Sequence, residues 1–115
     1  GKPTLSTHDT LECFDWSAPH SSTAVTFLYE LLGSDEALDE SQRFLLLRWC
    51  TGRNALPISG LGRKVRLLLD DTEGGGPADQ RVPVAHTCTF EVDLPRYSSK
   101  AVLLEQLCMA LASFN

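Results

Sequence analysis

A cysteine at position 88 stands in the run VPVAHTCTFEVDLPRY (82–97), two places after His86 and directly after Thr87. The thiolate is the nucleophilic form of cysteine, and a neighbouring imidazole favours it. On an extended chain residues two apart project to the same side, so His86 and Cys88 together could make an activated nucleophile. Pro83 lies in the approach and an alternating run follows, which puts Cys88 where a loop meets a strand, a common place for reactive groups. A plainer reading fits the same residues. Cys88 shares its parity with Phe90, Val92 and Leu94, which would make it the inward-facing first residue of that strand. Pattern alone leaves both readings open.

The other candidates are weaker. Cys50 and Cys108 fall on apolar helical stretches and read as small core hydrophobes, while Cys13 suggests no role. No two of the four cysteines form a C-x-x-C pair, and His8, His20 and His86 do not lie at finger-like spacing from them, so no structural metal site is expected. A domain of this size needs no disulfides, and all four read as reduced thiols in a cytosolic or nuclear setting. A redox-active thiol would want a resolving cysteine close to Cys88, which the spacing does not supply. No Ser-His-Asp arrangement can be assigned. The GGGP run at 74–77 lacks the Lys-Ser/Thr of a phosphate loop and reads as a flexible connection. Asp70, Asp71 and Glu73 beside it lack further ligands at defined offsets and read as a solvated loop.

The elements that must hold these residues follow from periodicity. Residues 1–19 read as an extended lead-in. A helix is expected from Ser21 or Ser22, with Ala24, Phe27, Leu28, Leu31 and Leu32 at the 3.6 period and Gly33 as a left-handed stop. A second starts at Asp39, with Gln42 completing the cap, and ends at Gly52; its FLLLRWC run is apolar on nearly every side, so it should be central. A turn-rich loop with Pro57, Gly60 and Gly62 leads to a strand carrying Val65, Leu67 and Leu69. A second strand carries Phe90, Val92 and Leu94 and stops at Pro95. A last helix, capped by Ser98 or Ser99, should turn Leu104, Leu107, Cys108 and Leu111 inward. This order predicts one α+β domain over residues 1–115, a small β-sheet packed against helices.

Composition narrows the function. With 43% hydrophobic and 22% charged residues, the chain of 115 residues can bury its own core. Apolar runs are far too short to span a bilayer, and the first residues lack the apolar stretch of an export signal, so no membrane role is expected. A net charge of −5 argues against a nucleic-acid surface and leaves a protein as the expected partner.

The run VPVAHTCTFEVDLPRYSSKAVLLEQLCMAL resembles the C-terminal lobe of HECT-type ubiquitin ligases, with its His-Thr-Cys, its Leu-Pro-x-Tyr and its terminal helix. Upstream, TGRNALPISG is similar to that family's Thr-Gly to Leu-Pro-x-x-Gly turn, and AVTFLYELL with SQRFLLLRWCTG to its preceding helix pair. The resemblance implies that Cys88 accepts ubiquitin from a conjugating enzyme as a thioester and passes it to a substrate lysine. It implies that His86 and Thr87 shape the surrounding pocket, and that Leu94, Pro95 and Tyr97 fix the turn into the last helix. Ubiquitin, a conjugating enzyme and protein substrates would be the partners, with no cofactor. The conjugating enzyme would bind a larger N-terminal lobe, so this chain would be one lobe of a longer ligase and weakly active or inactive alone. Two departures from the pattern motivate an alternative, a non-catalytic interaction module of the same fold. Thr89 follows the cysteine where many members have an aromatic, and Phe114 is penultimate rather than fourth from the end.

Overall fold

The computed structural model describes residues 4–17, 22–53, 63–70 and 77–114. Four helices, α1 (Thr7–Glu12), α2 (Thr23–Leu32), α3 (Glu40–Thr51) and α4 (Lys100–Phe114), accompany four strands, β1 (Phe14–Asp15), β2 (Val65–Asp70), β3 (Val84–His86) and β4 (Glu91–Pro95). The strands form one sheet in the order β1-β2-β4-β3. Its first two pairings are parallel and the β3–β4 pairing is antiparallel. This is the expected α+β arrangement.

Side-chain alternation gives the sheet a dry and a wet face. Phe14, Val65, Leu67, Val92 and Leu94 are buried, and all of these but Val65 line one apolar space with Leu28 of α2, Leu46 and Trp49 of α3, and Leu103 and Leu107 of α4. On the other face the register lines up Arg66, Glu91 and His86 in one row and Leu68, Asp93 and Val84 in the next. Among these, Arg66, Leu68, Val84 and His86 are exposed, and Glu91 and Asp93 are half-buried.

Helix α3 is as central as its composition implies: Leu46, Leu47, Trp49 and Cys50 are buried, and Cys50 has no exposed surface. Asp39 accepts from the Gln42 amide at 2.8 Å while Gln42 accepts from the Asp39 amide at 2.9 Å, the reciprocal cap that satisfies two orphan donors. At the other end Gly52 takes the left-handed conformation, φ 73°, and its N–H donates to the Arg48 carbonyl at 2.7 Å. Buried Arg43 on the same helix donates to the Leu5 and Leu38 carbonyls at 2.8 and 2.7 Å, and exposed Asp35 stands 3.8 Å from its guanidinium. It thereby ties the N-terminal segment to the α2–α3 connection.

Several expectations need correction. The lead-in is not all extended: Ser6 and Asp9 cap each other reciprocally and start α1, and Phe14–Asp15 adds a parallel edge to β2. With Thr10 its only buried position, α1 is too short for an apolar period to reveal it. Gly33 is not left-handed; at φ −84° and ψ −1° it continues into a right-handed turn in which Ser34 N–H reaches the Leu31 carbonyl at 3.2 Å. The buried stripe of α4 is Leu103, Gln106, Leu107, Ala110 and Leu111, so Leu104 and Cys108 flank it, half-buried. Apolar residues on almost every side of that helix make several stripes equally regular on paper. Of its two cap candidates, Ser99 makes the bond, accepting from Val102 N–H at 3.2 Å. Strand β3, antiparallel to β4, was not expected from the sequence. Asp70 is not a loose loop acid but the end of β2, bonded to Arg81 at 2.8 Å. Ser21, the turn residues Pro57, Gly60 and Gly62, and the acidic glycine stretch 71–76 lie outside the described residues.

Gly52 bears on the cysteine because a Cβ there would stand 3.5 Å from the Thr87 Cβ, so the end of α3 abuts the residue before Cys88. The added atom would fit, and the cost of Gly52→Ala is therefore the left-handed backbone. A loss of about 1–2 kcal/mol in urea denaturation is expected, and an unchanged midpoint would contradict this account of the helix end.

Candidate active site

Four residues, 87–90, join the antiparallel strands β3 and β4 in a turn, with the Thr89 N–H donating to the His86 carbonyl at 3.3 Å. The turn closes on Phe90, whose φ of 53° is the one positive value among the described non-glycine residues. Glycine, asparagine or aspartate normally fills such a position, and a bulky residue there costs about 1–2 kcal/mol. Burial of the ring offsets this. Phe90 is 4% exposed, and the guanidinium groups of Arg53 and Arg63 lie over its ring at 5.4 and 4.5 Å. Burying a phenylalanine stabilises by about 1.5–3 kcal/mol, and each cation over the ring adds roughly 0.5–1 kcal/mol at a partly exposed site. The favourable terms exceed the strain, so the turn holds.

That turn decides how Cys88 is presented. The chain is not extended between His86 and Phe90, so the parity that would make Cys88 an inward strand residue does not apply. Phe90 supplies the inward side chain and Cys88 is exposed. Arg63 steadies the turn by donating to the Cys88 carbonyl at 2.9 Å, and the Phe90 carbonyl accepts from Arg66 N–H at 2.8 Å. Thr87, half-buried, rests against the end of α3.

His86, Thr87 and Cys88 line one open depression with Leu68, Ala85, Thr89 and Glu91. The structure thus brings the three sequence candidates together, but not through a shared strand face. His86 instead reaches diagonally across the ladder, with Nε2 2.7 Å from Asp93 Oδ2. That hydrogen bond, followed by the charges of Asp93 and then Glu91, raises the His86 pKa above its ordinary 6.5. Hydrogen bonds from Thr89 and Arg66 hold Glu91 below the usual carboxylate range. Sequence reasoning missed Asp93, Glu91 and Arg63. The first two lie on the wet face of an expected strand, and only the pairing register reveals that they face His86.

The other three thiols are withdrawn. Burial, with Asp9 and Glu12 nearby, pushes Cys13 up to about 11, and its thiol donates to the Asp9 carbonyl at 3.3 Å. Burial drives Cys50 far above the ordinary cysteine value and raises half-buried Cys108 as well. Leu94, Pro95 and Tyr97 are buried beyond the turn, and the Tyr97 hydroxyl donates to the Arg81 carbonyl at 2.7 Å, a packing role. Among the described residues no group of three or more His, Cys, Asp or Glu could hold a metal ion, and no helix is long and apolar enough to cross a membrane.

Residues 5–115 match the family model for the HECT-domain (ubiquitin-transferase). The chain is 34% identical over 101 residues to the human probable E3 ubiquitin-protein ligase HERC3, covering 88% of this chain and 9% of that protein. Over 89 residues it is 32% identical to ubiquitin fusion degradation protein 4 of Saccharomyces cerevisiae, covering 75% and 6% respectively. Against E3 ubiquitin-protein ligase TRIP12 of Danio rerio the identity is 33% over 105 residues, covering 87% and 5%. The chain therefore spans less than a tenth of the length of these curated relatives.

Exposure ranks the thiols for reagents as well as for chemistry. In the folded chain iodoacetamide should label Cys88 first and Cys108 more slowly, with Cys13 and Cys50 protected until denaturant is added. Peptide mass mapping over a time course reads the order, and early labelling of Cys50 would contradict this burial.

Proposed function

The chain belongs to the HECT ubiquitin-transferase family, and from that premise we propose that it is the transfer lobe of a longer ubiquitin-protein ligase. In this reading Cys88 accepts ubiquitin from a conjugating enzyme as a thioester and passes it to a lysine of a protein substrate. One observation carries the reading: of four cysteines, the one in the His-Thr-Cys motif is the one exposed.

Thioester exchange trades one carbon–sulfur bond for another, so it asks for an accessible thiolate and little else. The open depression around Cys88 suits an incoming chain end. During loading His86 sets the local field, and Thr87 braces the turn against α3. Thr89 departs from the pattern directly after the cysteine, and the aromatic ring of Phe90, one place later, is buried in the interior.

Recruitment of the conjugating enzyme belongs, in this proposal, to a larger lobe elsewhere in the ligase. Without it the donor is not held near Cys88, and the rate advantage of proximity is absent. Four reduced thiols fit a cytosolic or nuclear ligase.

Two measurements test the proposal. An activated ubiquitin C-terminal thioester, supplied directly, should give the folded chain an adduct that reductant removes. Cys88→Ala should form none, and Cys88→Ser should form an ester that resists reductant. Charged conjugating enzyme should load the isolated chain at least tenfold more slowly than the complete ligase, a small fraction of what proximity can contribute. An adduct that survives Cys88→Ala would remove Cys88 as the acceptor, and no adduct even in the complete ligase would leave the non-catalytic interaction module as the better reading.

A further inference from the structure

Lysine presents a proton problem that the thiol does not solve. At neutral pH the side chain is an ammonium, and even the free amine must shed a proton after it attacks a thioester carbonyl. Cys88 can be the leaving group, but a separate acceptor is needed beside it. The depression around Cys88 contains one imidazole, that of His86, and one carboxylate, that of Glu91. Glu91 is already committed to Thr89 and Arg66, which hold it in the ionised, weakly basic state.

His86 is arranged differently. Its Nε2 is engaged by Asp93 Oδ2 at 2.7 Å, so in the neutral ring Nε2 carries the hydrogen and Nδ1 carries the lone pair. A carboxylate bonded to an imidazole does two things: it selects the tautomer that leaves the other ring nitrogen basic, and it stabilises the imidazolium that forms. Asp93 is well placed for this, because it is half-buried on β4 and diagonal to His86 across the antiparallel ladder.

We infer that His86 is the base that takes the proton from the amine attacking a Cys88 thioester, and that Asp93 is its positioning residue. The inference rests on Cys88 being the acylated thiol. In the step, the amine nitrogen bonds to the carbonyl carbon and the carbon–sulfur bond breaks. Its electron pair leaves with the Cys88 sulfur, and the proton shed by nitrogen passes to Nδ1 of neutral His86. The imidazolium then returns that proton to the Cys88 thiolate or to solvent, which restores both groups.

The charges facing His86 set where it titrates. Asp93 and Glu91 on β4 favour the imidazolium. Arg66 on β2 is paired with Glu91 and mutes its effect. Arg63, ahead of β2, is engaged by the Cys88 carbonyl. From the side of α3, Arg48 lies over the Phe114 ring and Arg53 over the Phe90 ring. The net result is a midpoint above 6.5, so the base is fully available only once pH has risen through that midpoint.

The test separates this step from loading. Cys88 of the folded chain is acylated by exchange with a small glycine-terminated peptide thioester, and discharge to a lysine amide is followed across pH. Rates are divided by the concentration of unprotonated amine. The native chain should show an inflection that coincides with the His86 midpoint read by NMR. His86→Gln should remove the inflection and slow discharge about 10²-fold, the lower end of what a positioned base contributes. Asp93→Asn should lower the NMR midpoint and slow discharge, Asp93→Glu should restore part of both, and the double variant should be no slower than His86→Gln alone. Loading followed by discharge with no inflection, or unchanged discharge in His86→Gln, overturns this inference alone. Failure of Cys88 to acylate overturns the transfer-lobe reading and this one with it.

Discussion

One constraint governs the presentation of the thiol: Phe90 holds a left-handed backbone while its ring is sunk in the protein. The backbone alone would relax toward an extended strand, and the ring alone would tolerate many turns. Together they admit one path from β3 to β4, on which residue 90 points inward and residue 88 points out. Strain of this kind persists only where surrounding structure over-determines it. Here the determinants are two arginines over the ring and the Arg63 bond to the Cys88 carbonyl. The exposed thiol is thus a consequence of core packing two residues away rather than of loop freedom.

The same sheet separates support from chemistry. Helices α2, α3 and α4 cover the apolar face, and the buried leucines on it leave the strands little room to shift. The register they fix sets Glu91 opposite His86 and Asp93 two residues along, within reach of the imidazole. A slip of one residue would turn Asp93 into the core and bring Val92 to the wet face. The helix packing that excludes such a slip therefore also keeps the carboxylate beside the ring.

Much of this frame could be read from the chain. The cap at Asp39 and Gln42, the stop at Gly52 and the alternation of Val65 and Leu67 against Arg66 and Leu68 are local, and each was legible because its cause lies within a few residues. What could not be read was long-range. Strand β1 consists of two residues and exists only because β2 offers it an edge; β3 exists because β4 does. Parity argued that Cys88 belonged inside, and it failed because one residue adopted a backbone that propensity discourages. The motif around the cysteine singled out the sulfur that the fold exposes, yet it suggested a His86–Cys88 pair, whereas the imidazole is engaged by Asp93.

With helices on a single side, the hollow that holds Cys88 has walls and a floor but no lid among the described residues. An acyl group carried on that sulfur would stand in bulk water, and the same carbonyl open to an amine would be open to hydrolysis. None of those residues favours one fate over the other by excluding solvent. On the proposed transfer reading, how much of that acyl group reached an amine and how much was lost to water would depend on whether another body covered the wet face, and for how long.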